Sequence, residues 1–130
     1  MRQLVVALFF AIGAEVTLSA STLAEWTRVE TAGENTFYID YTSIRKDGNR
    51  RAVWEIQDLN QRSTKGVMSR RSRNEYDCNA EKNRILSISV HSESMAGGET
   101  LASGTASAPT WGDISPGSPF DRILKIVCAK

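Results

Sequence analysis

The sequence has little of what most enzymes and nucleic-acid-binding proteins need. Its 130 residues include two cysteines, three prolines and one histidine, and 16 basic residues nearly balance 15 acidic ones. A net charge of +1 lacks the basic excess of a nucleic-acid-binding domain, so we expect no nucleic-acid partner. His91 has only Glu93 nearby in sequence, and one imidazole with one carboxylate makes a poor metal site. We therefore expect no metal and no cofactor.

Catalytic motifs are also missing. No Gly-x-Ser-x-Gly elbow occurs, and no glycine-rich phosphate loop follows a predicted strand. We expect a protein that is not an enzyme. A small enzyme remains the third-ranked alternative, and its sign would be a cleft in which His91 meets a carboxylate and a hydroxyl.

Hydrophobic runs are limited to one stretch near the start. Leu4 to Ala14 is apolar, and small residues follow up to Ala24. This order is typical of a secretory signal peptide, and the run is shorter than the roughly twenty apolar residues of a membrane span. We predict a signal peptide over residues 1–24, a single domain over residues 25–130, and no membrane span.

The predicted export bears on the two cysteines, Cys78 and Cys128, because it places them outside the reducing cytosol. In an oxidising compartment we expect them to be joined, because disulfides persist there and strengthen small domains. The closed loop of about fifty residues corresponds to a stabilisation of at most about 4 kcal/mol. No cysteine directly follows the apolar run, so we expect no lipid attachment site.

Short alternating segments separated by turn residues predict an α+β fold, with a meandering antiparallel sheet of about six strands. The predicted strands are Trp26–Glu30, Thr36–Asp40, Arg51–Leu59, Gly66–Cys78, Leu86–His91 and Thr100–Ser107. In the third strand Ala52, Trp54 and Ile56 share one side, which places Trp54 in the core. In the fifth strand Leu86, Ile88 and Val90 face the core, whereas Ser87, Ser89 and His91 face water.

One helix is predicted at the C-terminal end of the chain. Ser118 can cap it, Pro119 suits the first helical position, and Asp121 can complete a capping box. Phe120, Ile123, Leu124 and Val127 then form an apolar stripe at helical spacing. We expect this helix to pack on one side of the sheet, with the Cys78–Cys128 disulfide joining the two.

Several short segments occur in an order that resembles one bacterial envelope family. They are Trp26-Thr27-Arg28-Val29, Phe37-Tyr38-Ile39-Asp40, Ser43-Ile44, Tyr76-Asp77-Cys78 and the stretch from Ser118 to Cys128. Together they are similar to the surface-adhesin protein E family over nearly the whole predicted domain. The resemblance implies a small antiparallel sheet, a C-terminal helix and bridged cysteines.

The same resemblance implies binding of host extracellular matrix or serum proteins such as vitronectin, laminin and plasminogen. Our leading prediction is an exported binding protein that acts through its sheet surface. The second is a periplasmic structural or assembly component without a host ligand, for which a homodimer is the main contact. Location in the periplasm or at the cell surface is left open.

The densest positive segment is the predicted ligand-binding region. It comprises Arg62, Lys65, Arg70, Arg71 and Arg73. As a functional surface it offers charge-assisted bonds to an acidic partner, a sulfated polysaccharide or a phosphate-bearing headgroup. The competing interpretation is a solvated strand whose charges prevent edge-to-edge aggregation. We favour it, because runs of charged residues at a protein surface usually serve solubility.

Overall fold

The structure, a computed structural model, describes Gly13, residues 24–33 and residues 35–129. Apart from Gly13 and Ala24, the predicted signal peptide lies outside the described residues. The elements are β1 Trp26–Ala32, β2 Asn35–Asp40, β3 Arg45–Asp47, β4 Arg50–Leu59, β5 Ser69–Asp77, β6 Lys82–His91, β7 Thr100–Thr105, β8 Gly112–Asp113 and α1 Pro119–Cys128. Single 3-10 turns lie at Tyr41–Ser43 and Ser94–Ala96.

All eight strands form one antiparallel sheet, which confirms the predicted fold. The main path runs β1-β2-β4-β5-β6-β7, with β3 paired to β4 and β8 paired to β6. These last two strands, of three and two residues, are additional to the predicted six. They are too short to carry an alternating pattern that a sequence could reveal.

The hairpin between β3 and β4 forms where the Asp-Gly pair predicts a turn. Asp47 pairs with Arg50, which leaves Gly48 and Asn49 as a two-residue loop. Gly48 has φ +57°, the positive value that glycine adopts at little cost.

Helix α1 begins as predicted but with one difference in its cap. Ser118 Oγ accepts a hydrogen bond from Asp121 N at 3.3 Å, and Pro119 opens the first turn. The carboxylate of Asp121 accepts from Gly117 N at 2.9 Å instead of from the cap residue. The capping box is therefore displaced by one residue, because Ser118 N donates to Ser115 O.

The helix covers part of one side of the sheet, which we call the helix side. It packs against β1 and β4. The core between the helix and the sheet consists of six buried side chains: Ile39, Val53, Tyr76, Ile123, Leu124 and Val127. Burial of these side chains is the main force that holds the helix on the sheet. None of the helices in the described part of the chain has the length and apolar character to span a membrane.

The disulfide forms as predicted. Cys78 follows the last residue of β5, a central strand, and Cys128 is the last residue of α1, with their Cα atoms 5.7 Å apart. The bond therefore ties the end of the helix to the middle of the sheet.

The prediction that Trp54 lies in the core is wrong. Val53 and Glu55, on the other side of β4, face the helix and are buried. On the Trp54 side Ile56 is fully buried, but Trp54 itself is partly exposed beside Arg71. Both sides of β4 are largely covered, so alternation alone could not tell which side the helix takes.

The prediction for β6 is wrong in two respects. A register shift makes Leu86 the extra residue, so Ile85 and not Leu86 joins Ile88 on the helix side. The helix leaves this strand largely uncovered, and Ile85 and Ile88 are 46% and 36% exposed. His91, which we expected to face water, is only 7% exposed, and its ring nitrogens lie within hydrogen-bonding distance of Ser89 and Thr100.

Candidate functional site

The side of the sheet opposite the helix carries the candidate site, which we call the open face. Its floor is formed by Trp54 on β4, Arg71 and Arg73 on β5, and Ser87 and Ser89 on β6. The pairing register brings them together, since Trp54 pairs with Arg73, Arg73 with Ser87, and Arg71 with Ser89. A shallow depression of about 240 Å³ lies here and extends to β7.

Arg71 is held in place by an aromatic side chain. Its Cζ lies 4.1 Å from the centroid of the Trp54 ring, a cation–π arrangement. Neither Arg71 nor Arg73 forms an ion pair with any residue that the structure describes. Stacking orients the guanidinium and leaves its donors free for a planar carboxylate or phosphate.

One end of the open face is closed by Trp111. Its ring lies 4.3 Å from Arg84 Cζ and 5.4 Å from Arg50 Cζ. Arg84 also pairs with Glu75 at 2.6 Å, and both side chains are mostly buried. The charges of Arg84 and Glu75 are therefore satisfied within the protein, and this pair stabilises the end of the open face.

The 3-10 turn at Ser94–Ala96 closes the other end. Its residues Met95 and Ala96 have positive φ values of 56° and 58°, which are unusual for residues other than glycine. Two hydrogen bonds hold them there, from Met95 N to Asp58 Oδ1 at 2.8 Å and from Ala96 N to Ser69 Oγ at 2.9 Å. The floor with Arg71 and Arg73 therefore lies between two fixed ends.

His91 has no catalytic constellation around it. Its Nε2 lies 2.8 Å from Ser89 Oγ, and its Nδ1 lies 3.4 Å from Thr100 Oγ1. Burial, with the charge of Arg71 nearby, lowers the pKa of His91. Its ring meets hydroxyls but no carboxylate, and the described residues contain no group of three or more acidic, histidine or cysteine side chains suited to a metal.

The predicted basic residues do not form one patch. Arg71 and Arg73 lie on the open face, whereas Arg70 points to the helix side because side chains alternate along a strand. Arg62 lies in the preceding loop, where it pairs with Glu93 at 3.4 Å and donates to Ser92 O. Lys65 is exposed in the same loop. Ser87 and Ser89, which we expected to face water, lie beside Arg71 and Arg73.

Sequence reasoning missed an acidic residue in the core. Glu55 is 3% exposed on the helix side, and Tyr76 donates a hydrogen bond to its Oε2 at 2.6 Å. Burial raises the pKa of Glu55 from 4.5 to about 8, although the polar side chains of Tyr76 and Asn74 beside it act in the opposite direction. Burial also raises the pKa of Tyr76. The clue in the sequence was that Glu55 lies two residues after Val53 and therefore on the same side of β4, the side that the helix covers.

Fold and surface together define a class: a small sheet-and-helix domain, closed by a disulfide, with an arginine-bearing face left uncovered. The chain belongs to the surface-adhesin protein E family, whose model matches residues 26–129.

Solved structures of Haemophilus influenzae protein E have the same fold. One is 15% identical, with a TM-score of 0.60, and the match covers 80% of this chain and 83% of that one. A second crystal form is 13% identical, with a TM-score of 0.57 and coverage of 82% and 96%. Likeness at this identity concerns the fold alone. A search of the curated proteins yields no significant match.

Proposed function

We propose that this chain is an exported, non-enzymatic binding protein that engages an acidic protein partner through its open face. The observation that carries the proposal is the pair Arg71 and Arg73, two adjacent guanidinium groups on a rigid sheet without an acidic partner in the described part of the chain. Family membership supports a protein as the partner. The predicted signal peptide and the disulfide support export.

The rigidity of the surface favours binding. Arg71 is already oriented by Trp54, and the floor is held at both ends by Trp111 and the Ser94–Ala96 turn. Little side-chain freedom is lost when a partner docks, and this lowers the entropic cost of association. Arginine and tryptophan are also the residue types most often found at the energetic centre of interfaces.

The proposal is tested by surface plasmon resonance against immobilised vitronectin, laminin and plasminogen, the host proteins that the family resemblance implies. The variant R71E/R73E should weaken binding to the true partner by about tenfold or more, since like charges then face each other. Binding of the unmodified chain should also weaken as salt is raised from 50 to 300 mM.

The matched control is K65E/R70E, which changes the net charge by the same amount at two exposed residues that are not part of the open face. We expect this variant to change affinity by less than about threefold, because its charges lie outside the interface. Equal losses in both double variants would show that net charge alone governs binding. Unchanged binding in R71E/R73E would remove the open face as the contact surface.

A periplasmic assembly component is the second candidate, and the outer edge of β7 favours it. All six residues of Thr100–Thr105 are exposed, and in the described residues β7 pairs with β6 alone. Such an edge can accept a strand from a second copy or another protein. Light scattering would show a dimer that L101P abolishes. Retention in the periplasm, with protection from added protease, would favour this candidate over the adhesin.

A further inference from the structure

A small cavity lies on the helix side, beside the first turn of α1 and away from the open face. Its volume is about 130 Å³, and it opens between β4, β5 and β6 where the helix stops covering the sheet. Phe37, Phe120, Ile85 and Ile88 form its walls. The two phenyl rings meet edge to face with centroids 5.9 Å apart, which gives the cavity a rigid aromatic side.

The floor of this cavity is polar and incompletely satisfied. Glu55, Ser72 and Asn74 line it. Asn74 is 1% exposed and its Nδ2 donates to Ser72 Oγ at 3.0 Å, but its Oδ1 has no hydrogen-bond partner. An unsatisfied buried acceptor lowers the free energy of unfolding, so Asn74 Oδ1 destabilises the fold unless another group bonds to it.

The charge around the cavity has one sign. Arg70 lines it, is exposed, and forms no ion pair with any described residue. Glu55 below is held neutral at pH 7, because burial raises its pKa to about 8. An anionic group near Arg70 would therefore be attracted by the guanidinium and would not be repelled by Glu55.

We propose that this cavity binds a phenolic carboxylate: the carboxylate pairs with Arg70, the ring lies between Phe37, Phe120, Ile85 and Ile88, and the hydroxyl reaches Asn74 and Ser72. A hydroxyl can donate to Asn74 Oδ1 while it accepts from Ser72 Oγ, so one group satisfies both. The cavity, at about 130 Å³, is somewhat smaller than the apolar cavity of about 150 Å³ that is known to hold benzene, so it takes one ring and the chain that carries the carboxylate stays at its mouth beside Arg70.

The experiment is a calorimetric titration of the full chain with 3-(4-hydroxyphenyl)propionate at pH 7. We expect saturable one-to-one binding. Removing the carboxylate, with 3-(4-hydroxyphenyl)propan-1-ol as the ligand, should weaken binding by about tenfold, as expected for the loss of a charge-assisted bond. Removing the hydroxyl, with 3-phenylpropionate, should weaken it less, by about fivefold, because a neutral bond is lost.

Two variants locate the ligand. R70Q should reproduce the loss caused by removing the carboxylate, and I85W should abolish binding by filling the cavity. Both positions are exposed at the rim, so neither substitution disturbs the core. The matched control is R73Q, which removes an arginine from the other side of the same strand and should bind as the unmodified chain does.

Absence of saturable binding up to 5 mM ligand would overturn the proposal, as would binding that survives both R70Q and I85W. The outcome is separate from that of the protein-binding proposal. R71E/R73E should bind the phenolic carboxylate normally, and R70Q should bind the protein partner normally. Either proposal can therefore fail without the other.

Discussion

The two sides of strand β5 differ in the burial and the charge of their polar side chains. On the helix side Asn74 and Tyr76 are buried next to Glu55, and a disulfide at Cys78 holds the helix above them. On the open face Arg71 and Arg73 carry charges without an ion-pair partner among the described residues, and Arg71 lines a shallow depression. Because side chains alternate along a strand, these nine residues support a core with one side and present unpaired arginines with the other.

Removing the disulfide should have the largest effect, because the bond restricts the unfolded chain as well as tying α1 to the sheet. C78A/C128A should lower the free energy of unfolding by about 4 kcal/mol, the value for a loop of about fifty residues. Urea unfolding of the oxidised protein and of the variant measures the difference. A change below about 1 kcal/mol would show that the helix is held by its apolar contacts alone.

Truncating apolar side chains should cost more stability in the part of the helix side that α1 covers than in the part that it leaves exposed. I123A should cost about 3 kcal/mol, because Ile123 is fully buried and a cavity would remain. I88A should cost about 1 kcal/mol or less, since Ile88 keeps 36% of its surface exposed. Thermal and urea unfolding check both values, and equal costs would mean that the helix covers β6 as well.

The buried carboxyl should make stability depend on pH. In the unfolded chain Glu55 ionises near its ordinary pKa of 4.5, whereas in the folded protein its pKa is about 8. Between these values the unfolded state releases a proton that the folded state keeps, so stability falls as the pH rises, by about 1.4 kcal/mol per pH unit at most. Below pH 4.5 the carboxyl is protonated in both states and this loss is absent.

The variant E55Q should remove most of this slope, since an amide does not titrate. Unfolding free energies measured from pH 4 to pH 9 provide the comparison. E75Q is the control on the open face, and it should retain the slope because Glu55 is still present. A slope that persists in E55Q would assign the pH dependence to another group.

Substitutions on the open face should have the smallest effect on stability. R73Q should change the free energy of unfolding by less than about 0.5 kcal/mol, as is usual for surface side chains without partners. Chemical unfolding measures this directly. A larger loss would mean that Arg73 supports the fold, and the binding defect of R71E/R73E could then no longer be assigned to the surface.

Much of the fold could be predicted from local signals. Helix α1 has a cap residue, a proline at its start and an apolar stripe, and these three agree. The disulfide followed from two cysteines behind a predicted signal peptide. Strands β3 and β8 could not be predicted, because three and two residues carry no periodicity and pair only through their neighbours.

The candidate site was predicted in part. The sequence shows a cluster of arginines, but only their alternation along β5 tells which of them share a surface, and it places Arg71 with Arg73 and apart from Arg70. It could not show that Trp54 stacks on Arg71, because this depends on a register between strands. The burial of His91 and Glu55 depends on what lies across the sheet, which no local pattern records.

Hydrogen–deuterium exchange of the full chain, free and bound to the host protein that it binds most tightly, tests the central claim most directly. Our account predicts added protection in β5 and β6, residues 69–77 and 82–91, with α1, residues 119–128, unchanged. Protection confined to α1 and β1, with β5 and β6 unaffected, would contradict it.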